Sequence, residues 1–295
     1  LYFGPNISKS NAESFAIAID LLFNRGLNMS LLTDKQKAHF HTLGFVRIPD
    51  ALRPREVDEF AMHFDAVIAS DGAQNDDSEA GQRIFPQGHR VIVPLIEADP
   101  FFYNLLDHPN LASIADDLLG EDCIFYGSSD GQIHCGDTNW HRDGQTPLPA
   151  IDVKLTFYLD DIAPGKGCLS VIPGSHHWPL DCIDLEQQVD DPILGYNVRQ
   201  LPGRYDLGYS KGDVIAFNTR IWHSSWGGSA NRRQMAWMMR TAPREAWEFD
   251  RIVQFNKDYA RMWSPQTGRL ISDRFFQTAN AQRMKKIAVL KDLGV

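Results

Sequence analysis

The sequence predicts a mainly β protein: a closed or sandwiched antiparallel sheet, with helices supplied by the first third of the chain and by its tail. Three observations carry this prediction. From Cys123 onward, short β-prone runs recur at Cys123–Tyr126, Gln132–Cys135, Asp152–Leu159, Cys168–Ile172, Asp213–Phe217 and Gln234–Met239, separated by Gly, Pro and Asp. Such runs suit a half-buried pleated surface, and the residues between them end it. Helical patterns, by contrast, gather before Gly120 and beyond Pro243. Finally, a His-X-Asp pair, His141 and Asp143, is followed 80 residues after the aspartate by His223. A double-stranded β-helix, the jelly-roll or cupin-like barrel, needs that kind of spacing to bring two distant strands to one pocket.

Taken in order, Thr33 caps a helix through Lys37 and Phe40, which Gly44 ends, and Phe45-Val46-Arg47-Ile48-Pro49 reads as a short strand. A helix from about Arg53 to Ala69 follows, its apolar face carrying Val57, Phe60, Ala61, Phe64 and Ile68. Between Ser70 and Gln82 the composition turns to Asp, Gly, Asn and Ser, the signature of a surface loop. Helical patterns resume at Pro100–Leu106 and Pro109–Leu119, with Pro109 suited to a first turn and Gly120 to a stop. No internal repeat or long linker divides the chain. The expected organisation is one domain over residues 1–295: helical support at about 33–120, a jelly-roll core at about 121–243 and a C-terminal extension at 244–295. Leu1-Tyr2-Phe3-Gly4 resembles a protease-site remnant and takes no part in it, and the amphipathic run from Phe15 to Ile19 is interrupted by Asp20 and Asn24.

Composition bounds the function. With 295 residues and 43% apolar content, the chain can bury a large core, and its net charge of −9 argues against a nucleic-acid backbone or an anionic membrane as partner. No apolar run reaches the roughly 18 residues that cross a bilayer. Four cysteines, Cys123, Cys135, Cys168 and Cys182, without CxxC spacing, point to reduced thiols and a cytoplasmic setting rather than to a disulfide framework. A small-molecule substrate is the partner class left.

Trp140-His141-Arg142-Asp143 is the most informative stretch. Side chains at i and i+2 leave the same face of a strand, so His141 and Asp143 can converge on one ion, with His223 as third ligand. Two histidines and one carboxylate leave coordination positions open, the pattern of non-haem Fe(II) oxygenases rather than of closed structural zinc sites. A lone histidine is more often structural, and His39, His41, His63, His89 and His108 are read as surface or packing residues. His134 is read as structural, and His176 and His177 as shaping a loop.

Between the proposed ligands runs Pro164-Gly165-Lys166-Gly167-Cys168-Leu169-Ser170-Val171-Ile172-Pro173-Gly174-Ser175-His176. Here the chain resembles the phytanoyl-CoA dioxygenase family of Fe(II)/2-oxoglutarate-dependent oxygenases, whose members carry a similar Gly-Cys-Leu, Pro-Gly-Ser-His signature. His39-Phe40-His41-Thr42-Leu43-Gly44-Phe45-Val46-Arg47-Ile48-Pro49-Asp50 is similar to the family's N-terminal helix and first strand, so the resemblance spans about Thr33 to Pro243.

The resemblance implies His141, Asp143 and His223 as iron ligands, and an arginine that holds the distal carboxylate of 2-oxoglutarate. The family's arginine commonly lies slightly further from its histidine than Arg232 or Arg233. Arg232 is preferred, because Arg233 shares its face with the apolar Met235 and Trp237. Ser225 matches a position that offers a hydroxyl to the same carboxylate, while Thr156 and Asn139 flank the expected pocket. The implied reaction takes Fe(II), 2-oxoglutarate and O2, releases succinate and CO2, and oxidises a C–H bond of a small organic metabolite, usually by hydroxylation. An intact Asp143 disfavours halogenation, since related halogenases replace this carboxylate with a small residue. The substrate-facing parts are expected in the Ser70–Gln82 loop, the Leu180–Tyr209 connection and the region beyond Pro243, with Phe125, Tyr158, Trp222 and Trp237 as aromatic candidates for the lining. Two other readings share the triad: a metal-binding jelly roll acting as sensor or binding module, and an Fe(II) dioxygenase that splits a catechol ring without a cosubstrate.

Overall fold

A computed structural model describes residues 30–70, 72–134, 136–179, 197–228 and 232–295, and Leu31–Val295 form one compact unit. The Phe15–Ile19 run, Cys135, Cys182 and residues 180–196 of the Leu180–Tyr209 connection lie outside the described residues. Helix α1 spans Asp34–Leu43. It starts where Thr33 and Gln36 form a reciprocal capping box and stops at Gly44, whose φ of 85° is left-handed. Strand β1 (Phe45–Ile48) follows, then α2 (Pro54–Ala69), which buries Val57, Phe60, Phe64 and Val67.

The polar stretch read as a surface loop contains β2 (Gln74–Asn75) and runs into α3 (Glu79–Ile84), capped by the Ser78 hydroxyl. After β3 (His89–Ile92) come the short α4 (Leu95–Ala98) and α5 (Asn104–Asp107), and then α6 (Pro109–Leu119). The barrel proper begins with β4 (Ile124–His134), one long strand where the sequence suggests two short ones. Gly127, with φ of 108°, is the reason for the broken pattern. Between the pairs Ser129↔Trp237 and Phe125↔Met239, β4 advances four residues while its partner advances two, so the strand bulges there without ending.

The remaining strands are β5 (Thr138–His141), β6 (Asp152–Tyr158), β7 (Leu169–Val171), β8 (Tyr205–Leu207), β9 (Val214–Asn218), β10 (His223–Ser225) and β11 (Arg232–Arg240). Helices α7 (Ala246–Trp263), α8 (Asp273–Gln277) and α9 (Ala281–Leu293) close the chain. Two antiparallel sheets result: seven strands in the order β1-β9-β6-β11-β4-β3-β2, and four in the order β5-β10-β7-β8. This is the jelly roll with flanking helices that the sequence predicts.

Alternation along the large sheet divides its faces. Phe157 of β6 and Trp237 of β11 meet edge to face on the outer side, and Phe157 also packs on Phe60 of α2. Asp152, Lys154, Thr156 and Tyr158 on β6, and Arg232, Gln234, Met238 and Arg240 on β11, share the opposite, inner side. On this side Arg240 Nε and Nη2 donate to the two Asp152 carboxylate oxygens at 2.5 and 2.7 Å, over the Tyr126 ring. Asn256 of α7 docks on β4 by donating to Tyr126 O at 2.9 Å, and Gly127 leaves the room it needs. Among the described residues no helix is long and apolar enough to cross a membrane.

Gly44 joins α1 to the barrel under tight constraints. A Cβ there would lie 2.5 Å from His176 Nδ1, on a backbone that side chains avoid. Gly44→Ala is therefore expected to lower stability by about 1–3 kcal/mol, seen as a reduced urea midpoint at unchanged m. An unaltered midpoint would contradict this packing.

Candidate metal centre

The site is built by the pairing of β5 with β10, in which His141 and His223 are direct cross-strand partners. Their rings lie 4.1 Å apart, centroid to centroid. His141 Nδ1 donates to Asn139 O at 2.8 Å and His223 Nδ1 to Ile221 O at 3.0 Å. A carbonyl can only accept, so Nδ1 carries a proton in both rings and each Nε2 is turned towards the Asp143 carboxylate. Burial, with His141 beside it, pushes the His223 imidazole down to about 3, which keeps it neutral and able to ligate.

Asp143 does not share a strand with His141, as the i, i+2 argument supposes. Strand β5 ends at His141, and Asp143 lies in the bend beyond it. The bend is fixed by Gly144, whose N–H donates to Thr219 O at 3.1 Å and whose missing side chain leaves space for the Thr219 hydroxyl. The carboxylate turns back so that Oδ1 lies 3.6 Å from His141 Nε2 and Oδ2 lies 3.5 Å from His223 Nε2. One donor atom from each of the three residues lies within 4.8 Å of the others, a triangle that a single ion can fill.

Burial alone would raise Asp143, yet the Lys154 ammonium 3.3 Å from Oδ2, aided by the two imidazoles, holds it well below the usual carboxylate range. The donor set is therefore two imidazole nitrogens and one carboxylate anion. Lys154 is not among the site residues picked out from the sequence. The signal was present, since alternation in Asp152-Val153-Lys154-Leu155-Thr156 sets Lys154 on the face of Asp152 and Thr156.

The Pro-Gly-Ser-His signature lies behind this pair rather than in it. Ser175 Oγ accepts from Trp222 N at 2.9 Å, next to His223, and Gly174 N donates to Leu43 O at 2.8 Å. His176 Nε2 meets His41 O at 3.2 Å. The signature thus fastens α1 and the strand carrying His223 to each other. The Gly-Cys-Leu part has a different task. Arg232 Nη2 donates to Ser225 Oγ at 2.8 Å, and a Cβ on Gly167 or Gly228 would fall 2.1 or 1.9 Å from its Nη1. Those two glycines form the slot for the guanidinium, whose buried Nε and Nη1 have no hydrogen-bond partner.

Arg233 faces outward and pairs with Asp65 and Asp160. Thr156, fully buried, donates to Met235 O and accepts from Gln234, which in turn accepts from His134 Nε2 at 2.8 Å. It belongs to an interior chain of hydrogen bonds. Asn139 lends its carbonyl to His141, while its side-chain amide donates to Arg83 O on α3. The Asn139 side chain is therefore directed away from the triad.

A cavity of about 350 Å³ opens over the triad. Its walls include Asp76 and Phe85 around α3, Lys154 and Tyr158 on β6, and Tyr259 and Trp263 at the end of α7. The Ser70–Gln82 stretch and the region beyond Pro243 thus both reach the cavity. His89, read as a surface or packing residue, is buried in its wall and stacks on Phe85 at 3.6 Å. Of the aromatic candidates, Tyr158 lines it; Phe125 and Trp237 are in the main core, and Trp222 lies under Arg142 in a separate cluster with Trp140 and Trp226.

A jelly roll holding two histidines and one carboxylate over an open cavity defines the class of the non-haem iron oxygenases. The chain belongs to the phytanoyl-CoA dioxygenase (PhyH) family, whose model matches residues 40–235. It is similar to an ectoine dioxygenase of Nocardia farcinica (strain IFM 10152), 24% identical over 226 residues that cover 67% of this chain and 72% of the relative. Its fold is that of SnoK, a non-heme alpha ketoglutarate dependent carbocyclase from nogalamycin biosynthesis, with a TM-score of 0.57 at 22% identity over 72% of this chain and 85% of that one. HygX of Streptomyces hygroscopicus, solved with nickel, 2-oxoglutarate and hygromycin B bound, gives a TM-score of 0.57 at 20% identity, over 72% of this chain and 88% of its own.

Ser175→Ala strands the buried Trp222 N–H beside His223 and is expected to cost about 1–3 kcal/mol, measured by urea unfolding. Wild-type stability in this variant would mean that the Ser175 hydroxyl does not brace the strand.

Proposed function

We propose that residues from Leu31 onward form one oxygenase domain in which His141, Asp143 and His223 hold Fe(II) and Arg232 and Ser225 hold 2-oxoglutarate. On this reading the enzyme oxidises a C–H bond of a small organic metabolite, by hydroxylation, within natural-product biosynthesis. One observation carries it: two Nδ1-tethered imidazoles and an ionised carboxylate converge on one point of a cavity wall. That donor set suits a divalent iron with open positions.

The second cofactor fits by the same kind of test. Arg232 is buried with two nitrogens unpartnered and a serine hydroxyl at its third, which suits a carboxylate that accepts from both. Bound together, iron, 2-oxoglutarate and dioxygen supply the oxidation and release succinate and CO2. The chain's own residues do the rest. Asn139 O and Ile221 O fix the imidazoles, Gly167 and Gly228 admit the guanidinium, and α3 and α7 narrow the cavity above the triad. The intact Asp143 supports hydroxylation over halogenation. The small-molecule substrate class is supported by the cavity's size and by the relatives that act on ectoine or bind hygromycin B. A reducing, cytoplasmic setting agrees with the buried free thiols of Cys123 and Cys168.

Adding Fe(II) and 2-oxoglutarate anaerobically is expected to produce a weak visible charge-transfer band. Arg232→Ala and Gly167→Ala should each weaken 2-oxoglutarate binding about tenfold or more, the second by pushing a methyl group into the guanidinium slot. Asp143→Ala should abolish substrate-dependent succinate release. A wild-type protein without the band, or an Asp143→Ala protein with full turnover, would overturn the reading.

A further inference from the structure

Lys154 is a cavity-lining cation whose place the proposed function does not explain. It is 7% exposed, on the inner face of β6, with its Nζ 3.3 Å from Asp143 Oδ2 and 3.9 Å from Asp130 Oδ1. A buried ammonium is costly, and one beside a site for a divalent cation adds repulsion to that cost. Asp130 is a second partner at longer range, and its other oxygen takes a hydrogen bond from Gln132. The nearer partner is the carboxylate of the triad.

The two oxygens of Asp143 stand in different surroundings. Both face an imidazole, Oδ1 towards His141 Nε2 at 3.6 Å and Oδ2 towards His223 Nε2 at 3.5 Å, but Oδ2 also has the ammonium, at 3.3 Å. A carboxylate can bind a metal through one oxygen or through both. Building on the function proposed above, we propose that Lys154 is a positioning residue: it retains Asp143 Oδ2 and leaves Oδ1 as the single oxygen donor, so that the position a second oxygen would take stays free for 2-oxoglutarate. The ammonium acts through Asp143 and touches no reacting atom. It weakens attraction for the metal slightly and protects room for the cosubstrate.

Loss of the ammonium is expected to separate two affinities that loss of a purely structural lysine would not. Lys154→Met keeps an unbranched side chain of similar length and removes the charge. With Co(II) as probe and no 2-oxoglutarate, this variant is expected to bind the metal as tightly as wild type or more tightly, with a changed ligand-field spectrum as Asp143 gains a second contact. With Fe(II) and 2-oxoglutarate under argon, its affinity for 2-oxoglutarate should fall about tenfold or more, and its charge-transfer band should shift or weaken. Asp130→Asn, which removes the other partner of the ammonium, should keep 2-oxoglutarate affinity within about twofold of wild type. An unchanged Co(II) spectrum together with unchanged 2-oxoglutarate affinity in Lys154→Met would overturn the inference. So would a loss in Asp130→Asn as large as that in Lys154→Met, because the ion-pair network rather than the contact with Asp143 would then be responsible. The Co(II) spectra test Asp143 even if wild type shows no band with 2-oxoglutarate, an outcome that would count against the proposed function instead.

Discussion

The hydrogen-bonded register between β5 and β10 is the constraint on which the centre depends. It sets His141 directly opposite His223, two rings from strands far apart in sequence, with no freedom to slide by one residue without turning one ring to the other face. Each ring is then locked by a carbonyl two residues before it. Around that register the chain invests its signature residues: Ser175 holds the backbone beside His223, and Gly174 ties the same turn to the end of α1. The role of this segment is therefore mechanical, since it braces a strand pair and contributes none of the three donors.

The large sheet supplies the second half of the arrangement. Its outer face is apolar and packs under the helices, while its inner face carries charge: Arg240 with Asp152 at one level, Lys154 with Asp143 at the next, and Arg232 with Ser225 at a third. Each cation has a distinct surrounding. Arg240 is saturated by a carboxylate, Lys154 is shared between two, and Arg232 has only a hydroxyl and carbonyl contact and otherwise stands unpaired. Unequal satisfaction along one face is what distinguishes a structural pair from a position prepared for an anion.

Much of this was legible beforehand, for particular reasons. Thr33, Gly44, Pro109 and Gly120 are local stop and start signals, and the helices they bound lie where those signals put them. The alternation argument that prefers Arg232 to Arg233 agrees with the faces the two residues occupy. What escaped sequence reasoning depends on neighbours distant in the chain. Strand β4 reads as two because Gly127 and the polar residues after it mimic a turn, whereas their partners on β11 and α7 keep the strand whole. The Ser70–Gln82 composition suggests a loop, and α3 exists there through the Ser78 cap and its seat on the cavity. Asn139 lies beside the triad in sequence, but its amide is taken by Arg83 O, a partner that no local pattern reveals.

Helices α3 and α7, which wall the cavity, come from segments outside the stretch from β5 to β10 that bears the three donors. Part of the cavity wall is consequently written in a different part of the gene from the three donors. Exchanging Tyr259 or Trp263 would recut what the cavity admits without altering the strands that carry the donors. A scaffold divided in this way can acquire new substrates by drift in its walls alone, with the reactive machinery held under separate selection.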